Sequence, residues 1–441
     1  MRDRRGLPVS TTSQPALDAA EKALWRMVSF YGDPLADIDA AAQADSGWIM
    51  PPLLRGAFLL SVTEPAWAGD ARSAVAQAEP LASRATERER AHLAALRACA
   101  EGRWQRACAL WDAILVEHPR DLLALANAHL FDFYRGDARN LRQRVARVLP
   151  EWPRDDPLSP YVLGMHAFGL EECNLYAPAE AAGRAALDAE PRGPWAIHAV
   201  AHVMEMQGRH DEGTQWLDAR RDHWSIDNGF AVHLWWHSAL FRLERMDHAG
   251  ALELYDRNLG DEAAQSIHLL RLDAVALLWR LSLLGVDAGA RWQALAGRYA
   301  AAREDTGYYA FNDLFALLAF VGAADLERAR GVLADAEQRA ALDSGADNRA
   351  MAHEVGLPLM RGLLLFATGR PDEAVEQMLP VRVVAHRFGG SHAQRDLIDQ
   401  TLLAACASGS RHRSLGRALL NERRLAKPVT SLTAHWAARV G

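Results

Sequence analysis

Residues 102–119 read GRWQRACALWDAILVEHP, and this stretch decides the fold. One helix ends at Gly102. After a short turn, a second helix places Ala107 and Ile114 on the same face, two helical turns apart. Pro119 stops this second helix because proline lacks an N–H and clashes with the preceding turn. The stretch therefore predicts a hairpin of two packed helices.

The same pattern, in which one helix ends, a short turn follows and a second helix begins, recurs along the chain. The turn positions and their spacings are Gly102, Gly136, Asn174, Gly208, Arg245, Gly285, Gly322, Gly369 and Gly409, at intervals of 34, 38, 34, 37, 40, 37, 47 and 40 residues. Ala179 and Pro191 stand 5 and 17 residues after Asn174, the offsets found in the first stretch. A period of about 34 residues is typical of tetratricopeptide repeats. The sequence predicts an all-α fold, a right-handed superhelical solenoid of about ten TPR-like hairpins.

The domain organisation follows from the same series. We expect residues 1–15 to be flexible and residues 16–441 to form a single solenoid domain, with clear repeats from about residue 90, because no Pro/Gly/Ser-rich linker interrupts the turns. The interval after Gly322 has about ten extra residues, which the loop Asp343–Asn348 is expected to hold. That loop is either a lid or a solvent-exposed connection.

Composition excludes several classes of partner. The net charge of -7 and the lack of a dense Lys/Arg block argue against nucleic acid. Residues 6–20 contain no signal-peptide core, and the most apolar stretches are too short to cross a bilayer, so a cytoplasmic protein without membrane contact is expected. The four cysteines form no CxxC pair, which argues against a disulfide framework and a cysteine zinc site.

Polar residues inside otherwise apolar first helices are the candidate site residues, because first helices line the concave surface of such a solenoid. They are His166, Glu171, Glu172, His198, His202, Glu205, His233, His237, Asp273, Asn312, Asp313, His353, Glu354, His392, Arg395 and Asp396. The densest stretch runs from residue 195 to residue 237. Two His pairs there each have a spacing of four, which places both rings of a pair on one helix face.

Three kinds of chemistry suit these His pairs. Two imidazoles on one face can bind a single metal ion, with Glu205 or the second pair completing the set. The zincin pattern needs Glu directly after the first His, where this chain has Ala199, so no resident metal or cofactor is predicted. Neutral His beside a buried acid suits proton transfer. Alternatively, the groups bond one another and fix the register of neighbouring hairpins.

A second unusual stretch, residues 389–396, reads GGSHAQRD. Two glycines end one helix, and Ser391 with Gln394 forms a capping box that starts the next. The face of that first turn carries His392, Arg395 and Asp396. An anionic group would bind well beside the helix N-terminus, although Arg395 and Asp396 could instead pair with neighbouring hairpins.

Several stretches together form a recognisable set: 164–172 (GMHAFGLEE), 198–209 (HAVAHVMEMQGR), 233–237 (HLWWH), 272–280 (LDAVALLWR) and 389–396. This set resembles the tetratricopeptide repeat protein 38 family, over most of the chain from about residue 20 onward. The resemblance implies an all-helical repeat fold and a soluble protein. It also suggests that the His-rich helices and the GGSHAQRD turn belong to one common site. It implies no reaction, substrate or cofactor.

We predict that the inner groove holds a pocket for a small polar or aromatic ligand. The predicted acid–base groups are His198, His202, Glu205, His233, His237 and His392. The predicted ligand contacts are His166, Glu172, Trp236, Asp273, Asp313, Arg395 and Asp396. A hydrolase or lyase would use the imidazoles as acid or base, and whether the protein is an enzyme stays open. The alternative is a non-catalytic scaffold that binds a peptide or partner helix along the groove.

Overall fold

The computed structural model describes residues 1–261, 265–302, 306–342, 345–427 and 430–441. The regular structure of these residues is helical, and their β-structure is limited to two isolated bridges, Arg2 with Pro8 and Tyr31 with Asn228. The chain divides into two compact units. The first unit comprises Met1–Val200, Asp222–Phe230 and Gly345–Asp347, and the second comprises Ala201–Arg221, Ala231–Ser344 and Asn348–Gly441.

The first unit contains ten complete α-helices within the described residues. They are α1 (Gln14–Ser29), α2 (Pro34–Ala44), α3 (Met50–Ser61), α4 (Ala68–Ala78), α5 (Glu87–Ala100), α6 (Trp104–Glu117), α7 (Leu122–Tyr134), α8 (Ala138–Val148), α9 (Ser159–Glu171) and α10 (Tyr176–Ala189). Consecutive helices pack as hairpins, α1 on α2 through α9 on α10. The boundary between the units then falls inside α11 (Pro194–Met206).

The second unit continues the same organisation. Its helices are α12 (His210–Asp218), α13 (Ala231–Glu244), α14 (His248–Leu254), α15 (His268–Leu283), α16 (Ala290–Ala301), α17 (Ala310–Gly322), α18 (Leu326–Leu342), α19 (Asp347–Met351, which begins at the unit boundary), α20 (Leu357–Ala367), α21 (Pro371–Arg382), α22 (His392–Ser408), α23 (Arg413–Ala426) and α24 (Ser431–Val440). Hairpins such as α17 with α18 and α20 with α21 recur here. Each unit is an array of helical hairpins, which confirms the predicted all-α class. Hairpins are also present before residue 90, where the sequence showed no clear repeat.

The first helix of eight hairpins ends in the same way. One residue adopts the left-handed conformation, and the next N–H donates to the carbonyl five residues earlier, which is the Schellman geometry. The left-handed residues are Gly102, Gly136, Asn174, Gly208, Met246, Gly285, Ala324 and Gly369. Six of the nine turn residues predicted from the sequence are these left-handed residues. The regular spacing of the turns in the sequence therefore reflects a backbone conformation that recurs at the ends of the first helices.

Three predicted turn positions differ from the structure. Met246 and Ala324 take the left-handed conformation in place of Arg245 and Gly322. Gly322 is the last residue of α17, and a Cβ there would lie 2.3 Å from the ring of Trp292, so close packing requires this glycine. The third, Gly409, caps α22 with a φ of -79° and has no left-handed turn.

The small residues and prolines that defined the repeat have the predicted roles. Ala107 and Ala179 are fully buried, which lets the paired helices approach closely. Helices α6 and α10 each end two residues before a proline, Pro119 and Pro191. The residue before proline disfavours the helical conformation, so these positions terminate the helices.

Residues 1–13 pack within the first unit. Arg5 pairs with Asp3 at 3.0 Å and with Glu21 at 2.7 Å, and all three side chains are buried. The hydroxyl of Thr11 donates to Asp45 at 2.6 Å. Flexibility of residues 1–15 and a single domain over residues 16–441 stay predictions.

The predicted loop Asp343–Asn348 lies partly outside the described residues, which omit 343 and 344. Within its described part, the N–H of Asp347 donates to the Gly102 carbonyl at 3.0 Å. The side chain of Asn348 accepts from the Ala310 N–H at 2.7 Å and donates to the Gly307 carbonyl at 2.9 Å. Hydrogen bonds to the backbone of Gly102, Gly307 and Ala310 therefore anchor residues 347–348.

One helical run, Asp347–Ala367, is long and apolar enough, by length and composition, to cross a membrane. Half of its most apolar window is buried inside the protein. Core helices pass the same test, so the finding is weak evidence, and the absence of a membrane span stays a prediction.

Helices that are distant in sequence pack together in the second unit. Helix α22 contacts α15, and α24 contacts α13. The indole N–H of Trp279 donates to the Thr401 hydroxyl at 2.9 Å, and Arg439 donates to the Leu283 carbonyl at 3.0 Å. A simple repeat array brings only neighbouring repeats into contact. Here late helices return to early ones, and the polar groups described next lie where they meet.

Candidate functional site

Three histidines of the second unit form a compact cluster. His202 comes from α11, whereas His233 and His237 lie one turn apart on α13. Their ligand-type nitrogen atoms lie within 4.8 Å of one another. The ring centroid of His237 is 4.5 Å from that of His202 and 4.8 Å from that of His233. His202 and His237 are fully buried, and the His233 side chain is 12% exposed.

A carboxylate stands behind two of the three imidazoles. Asp273 Oδ2 on α15 lies 2.7 Å from His233 Nδ1, and Glu205 Oε2 on α11 lies 3.0 Å from His237 Nδ1. A carboxylate that accepts from Nδ1–H fixes the tautomer whose lone pair is on Nε2. The indole of Trp236 stacks on His233 with a centroid distance of 5.3 Å and so restrains that ring.

Burial favours the neutral form of both partners in the Glu205–His237 pair. Burial raises the pKa of Glu205 to about 7, although Lys427 and Arg280 oppose this shift. Burial lowers the pKa of His237 well below its usual value, and the positive charge that His233, Arg280 and Lys427 can carry adds to the effect. The imidazole of His237 is therefore uncharged at neutral pH, the form that accepts a proton.

A buried network of charges continues from Glu205 towards the C-terminal helices. Lys427 Nζ lies 3.8 Å from Glu205 Oε1 and 3.1 Å from Glu244 Oε1. Arg423 bridges Glu244 at 3.1 Å and Asp396 at 2.5 Å. Burial alone would lower the pKa of Lys427, but Glu244, Asp396 and Glu205 outweigh it and raise that pKa. Lys427 is therefore a cation, and removal of any one partner would leave a buried charge uncompensated.

Sequence reasoning missed Lys427, Arg423 and Glu244 as site residues. Composition offered one signal for the first of them, because the only lysines among the 49 basic residues are Lys22 and Lys427. Lysine and arginine differ in geometry and hydration, so a rare lysine in an arginine-rich chain marks a position worth inspection. Arg423 and Glu244 lie in ordinary amphipathic patterns, and nothing in the sequence distinguishes them.

Arg280 was also missed, because in the sequence it only interrupts an apolar run. Its side chain is almost fully buried, and its guanidinium donates to the Ala393 carbonyl at 2.6 Å. The same group lies over the Trp236 ring, 5.6 Å from the centroid. Arg280 therefore ties α15 to the first turn of α22 and flanks the histidine cluster.

A pocket of about 250 Å³ opens beside this network, between α21, α22 and α23. Its charged lining consists of four basic residues, Arg382, Arg395, Arg423 and Lys427, and three acidic residues, Asp396, Asp399 and Glu422. His392 also lines it. Met206, Ile398, Leu403 and Leu419 form an apolar part of the wall.

The GGSHAQRD turn positions the rim of this pocket. The predicted capping box is present: Ser391 Oγ accepts from the Gln394 N–H at 3.2 Å, and Gln394 Oε1 accepts from the Ser391 N–H at 3.0 Å. Gly390 has a φ of 76°, and a Cβ there would lie 2.4 Å from the Phe311 ring, so only glycine fits. Arg395 donates to the Gly390 carbonyl.

The structure separates residues that we predicted to line one site. His202 and His237 belong to the histidine cluster, whereas His392 and Arg395 line the pocket. Glu205 and Lys427 connect the two places. Asp273 and Trp236 join the cluster, and Asp396 joins the pocket.

The other predicted residues lie elsewhere. Asp313 is buried at the start of α17, where its Oδ1 accepts from the Gly307 N–H at 2.9 Å. His166, Glu172 and His198 belong to the first unit. His198 stands one turn before His202 on α11, and its ring lies 5.1 Å from Phe168, 5.2 Å from Trp195 and 4.9 Å from Phe230, measured between centroids.

No family model matches the chain. Among solved structures, the chain is similar to the human IFIT1 dimer with m7Gppp-AAAA, at 13% identity and a TM-score of 0.45 over 99% of this chain and 96% of that one. It is similar to the human IFIT1 dimer with PPP-AAAA, at 13% identity and a TM-score of 0.41 over 100% and 97%.

A tetratricopeptide repeat protein from Parabacteroides merdae matches at 12% identity and a TM-score of 0.35, over 68% of this chain and 100% of that one. Similarity at these TM-scores carries no argument about a ligand. The resemblance to the tetratricopeptide repeat protein 38 family stays a prediction, and the helical-repeat fold rests on this chain's own hairpins.

Proposed function

We propose that this protein binds a small anionic molecule in the pocket between α21, α22 and α23. The observation that carries the proposal is the presence of four basic side chains in the lining, Arg382, Arg395, Arg423 and Lys427. Arg382 pairs with Glu422 at 2.7 Å, and Arg423 pairs with Asp396 at 2.5 Å, so lining acids are engaged by lining bases. Arg395 adds positive charge beside the N-terminus of α22, where a carboxylate or phosphate is favoured.

The size and the apolar wall narrow the class of ligand. A volume of about 250 Å³ is below the range of roughly 300–1,000 Å³ that suits drug-sized ligands. Met206, Ile398 and Leu419 offer apolar contact opposite the charged side chains. These features favour a small metabolite with one carboxylate or phosphate and a short apolar part. If the ligand turns over, His392 is the acid or base that we propose, because its imidazole lines the pocket.

The test compares anionic compounds with neutral analogues of the same shape. Thermal melts of the full chain are recorded with a panel of small carboxylates and phosphates and with their amides and alcohols. We expect selected anions to raise the melting temperature and the neutral analogues to have no effect. Arg395→Gln should weaken binding by about 10–100-fold while helix content stays unchanged, because a charged hydrogen bond contributes about 1.5–3 kcal/mol. Arg413→Gln, at an exposed arginine of α23, is the matched control.

Four results would contradict the proposal. Neutral analogues could bind as well as anions, or Arg395→Gln could bind as wild type does. Binding of peptides without any small anion would support the scaffold alternative. Binding of a short capped RNA, also without a small anion, would favour nucleic acid, which the composition did not lead us to expect. Each of the last two arms uses the same melts, so the partners are compared directly.

A further inference from the structure

We propose that His202, His233 and His237 bind a divalent transition-metal ion, with Zn²⁺ as the representative. The proposal goes beyond the anion pocket and uses none of the side chains that line it. It rests on the distances among the three imidazoles, on the carboxylates behind two of them and on the charge that those carboxylates supply.

The distances bring three nitrogen ligands close to a common point. The ligand-type nitrogens lie within 4.8 Å of one another. Nitrogens that share one tetrahedral zinc ion are separated by about 3.3 Å, given Zn–N bonds of about 2.0–2.1 Å. Binding of an ion would require side-chain rotations that close this difference. Two of the ligands lie one turn apart on α13 and the third lies on α11, so rigid helices hold the set.

The second observation concerns the atoms behind the ligands. A histidine that binds a metal through one ring nitrogen nearly always donates its other N–H to a carboxylate, a carbonyl or water. His233 Nδ1 lies 2.7 Å from Asp273, and His237 Nδ1 lies 3.0 Å from Glu205. With Nδ1 engaged in this way, both rings coordinate through Nε2. Two such carboxylate–histidine pairs in one cluster are the supporting shell that a metal site requires.

The charges also fit a divalent ion. Three neutral imidazoles carry no charge. A bound divalent ion would favour the ionised form of the Asp273 and Glu205 carboxyl groups, which would then balance its two positive charges. Lys427 partly offsets Glu205, at a distance of 3.8 Å, but Glu244 lies closer to the ammonium group at 3.1 Å. His233 is the most exposed of the three ligands, with 12% of its side chain accessible to solvent. Imidazole nitrogens select Zn²⁺, Co²⁺, Ni²⁺ or Cu²⁺ over Mg²⁺ and Ca²⁺, which prefer oxygen ligands.

The experiment uses the full chain purified without an affinity tag. After removal of metals with a chelator, binding of Zn²⁺ is measured by calorimetry, and Co²⁺ is added to a parallel sample to record its visible spectrum. We expect one Zn²⁺ per chain, no comparable binding of Mg²⁺, and the intense absorption of tetrahedral Co²⁺. The same calorimetry on Arg395→Gln should give unchanged Zn²⁺ binding, which keeps this test separate from that of the anion pocket.

Two variants locate the ion. His233→Ala removes the most exposed of the three ligands and should weaken Zn²⁺ binding by at least 100-fold, whereas His353→Ala, at an exposed histidine elsewhere in the second unit, should leave it unchanged. Asp273→Asn keeps all three ligands and should weaken binding by about 10–100-fold, as loss of a supporting carboxylate does.

Wild-type protein that binds no Zn²⁺ and gives no tetrahedral Co²⁺ spectrum would overturn the proposal. So would His233→Ala that binds Zn²⁺ as wild type does. If His233→Ala fails to fold, the wild-type Co²⁺ spectrum and the affinity of Asp273→Asn decide the question. Unchanged affinity in Asp273→Asn would then count against the site.

Discussion

Asp313 shows how burial alone changes the chemistry of one residue. We predicted it as a ligand contact, and the structure buries it at the start of α17, away from the residues that line the pocket. Burial raises the pKa of this carboxyl to about 7, and the hydrogen bond from the Gly307 N–H opposes the shift only in part. A buried acid with a shifted pKa is a common sign of a functional site, but among the described residues no cation contributes to this shift.

The pH dependence of stability tests this assignment. The pKa of Asp in an unfolded chain is about 3.9, so the folded chain holds the proton over a range where the unfolded chain releases it. The contribution of Asp313 to the free energy of unfolding should therefore fall as the pH rises from about 4 to about 7 and stay constant above that. Asp313→Asn removes this contribution and keeps the oxygen that accepts from Gly307. Its stability relative to wild type should rise by on the order of 2–4 kcal/mol between about pH 4 and about pH 8.

Urea unfolding at several pH values gives the measurement. Taking the difference between the two proteins removes the titration of every group that they share. Asp70→Asn, at an exposed aspartate of α4, is the control and should show no comparable dependence on pH. A constant difference between Asp313→Asn and wild type would show that the folded-state pKa is ordinary.

At the scale of the element, the helix ends explain the repeat. Eight first helices end in a left-handed residue, and six of those residues are glycines or, in one case, asparagine, which tolerate this conformation. Met246 and Ala324 adopt it without that tolerance, with φ of 61° and 60°. These two turns form because the flanking helices pack, at a conformational cost of roughly 1–2 kcal/mol each.

Replacement of Ala324 by glycine should therefore stabilise the protein. Relief of the left-handed strain exceeds the extra entropy that glycine gives to the unfolded chain, and the methyl group lost is exposed. We expect a gain of about 0.5–1 kcal/mol in the free energy of unfolding, measured with urea. The neighbouring Ala323→Gly is the control, because Ala323 has a φ of -79° and gains nothing from glycine. Equal effects of both substitutions would refute the explanation.

At the scale of the whole molecule, neither compact unit is one continuous piece of chain. The first unit includes Asp222–Phe230 in addition to Met1–Val200. That added segment is bonded to the end of α1: the Gly229 N–H donates to the Phe30 carbonyl at 2.8 Å, and Asn228 donates to the Ser29 carbonyl at 3.2 Å. The boundary also cuts α11 between Val200 and Ala201. A unit built in this way depends on chain that lies beyond its main segment.

A fragment of residues 1–200 should therefore unfold at a lower temperature and less cooperatively than the full chain. It lacks the segment bonded to Phe30 and ends inside a helix, so backbone groups that are paired in the protein become exposed to water. Calorimetry of the fragment and of the full chain tests this. A fragment that unfolds at the same temperature and as cooperatively as the full chain would contradict it.

Sequence patterns alone predicted the helical hairpins, most of their turns and the capping box at Ser391, and they singled out the unusual polar residues of the first helices. These features depend on φ values, missing N–H groups and side-chain oxygens within a few residues, so local chemistry is enough to read them. The turn positions that were predicted wrongly also have a local explanation. Glycine serves both left-handed turns and close packing, and at Gly322 the sequence could not distinguish the two uses.

Only the tertiary structure decided which polar residues meet. Glu244 and Lys427 are 183 residues apart and form a buried ion pair, because α24 and α22 return to α13 and α15. A repeat period predicts that each hairpin packs on the next, but it does not predict which late hairpins contact early ones. The histidine cluster and the pocket between α21, α22 and α23 were predicted as one site and lie in two places for this reason. The partners of these polar residues depend on packing between helices that are far apart in the sequence, and no local sequence pattern predicts that packing.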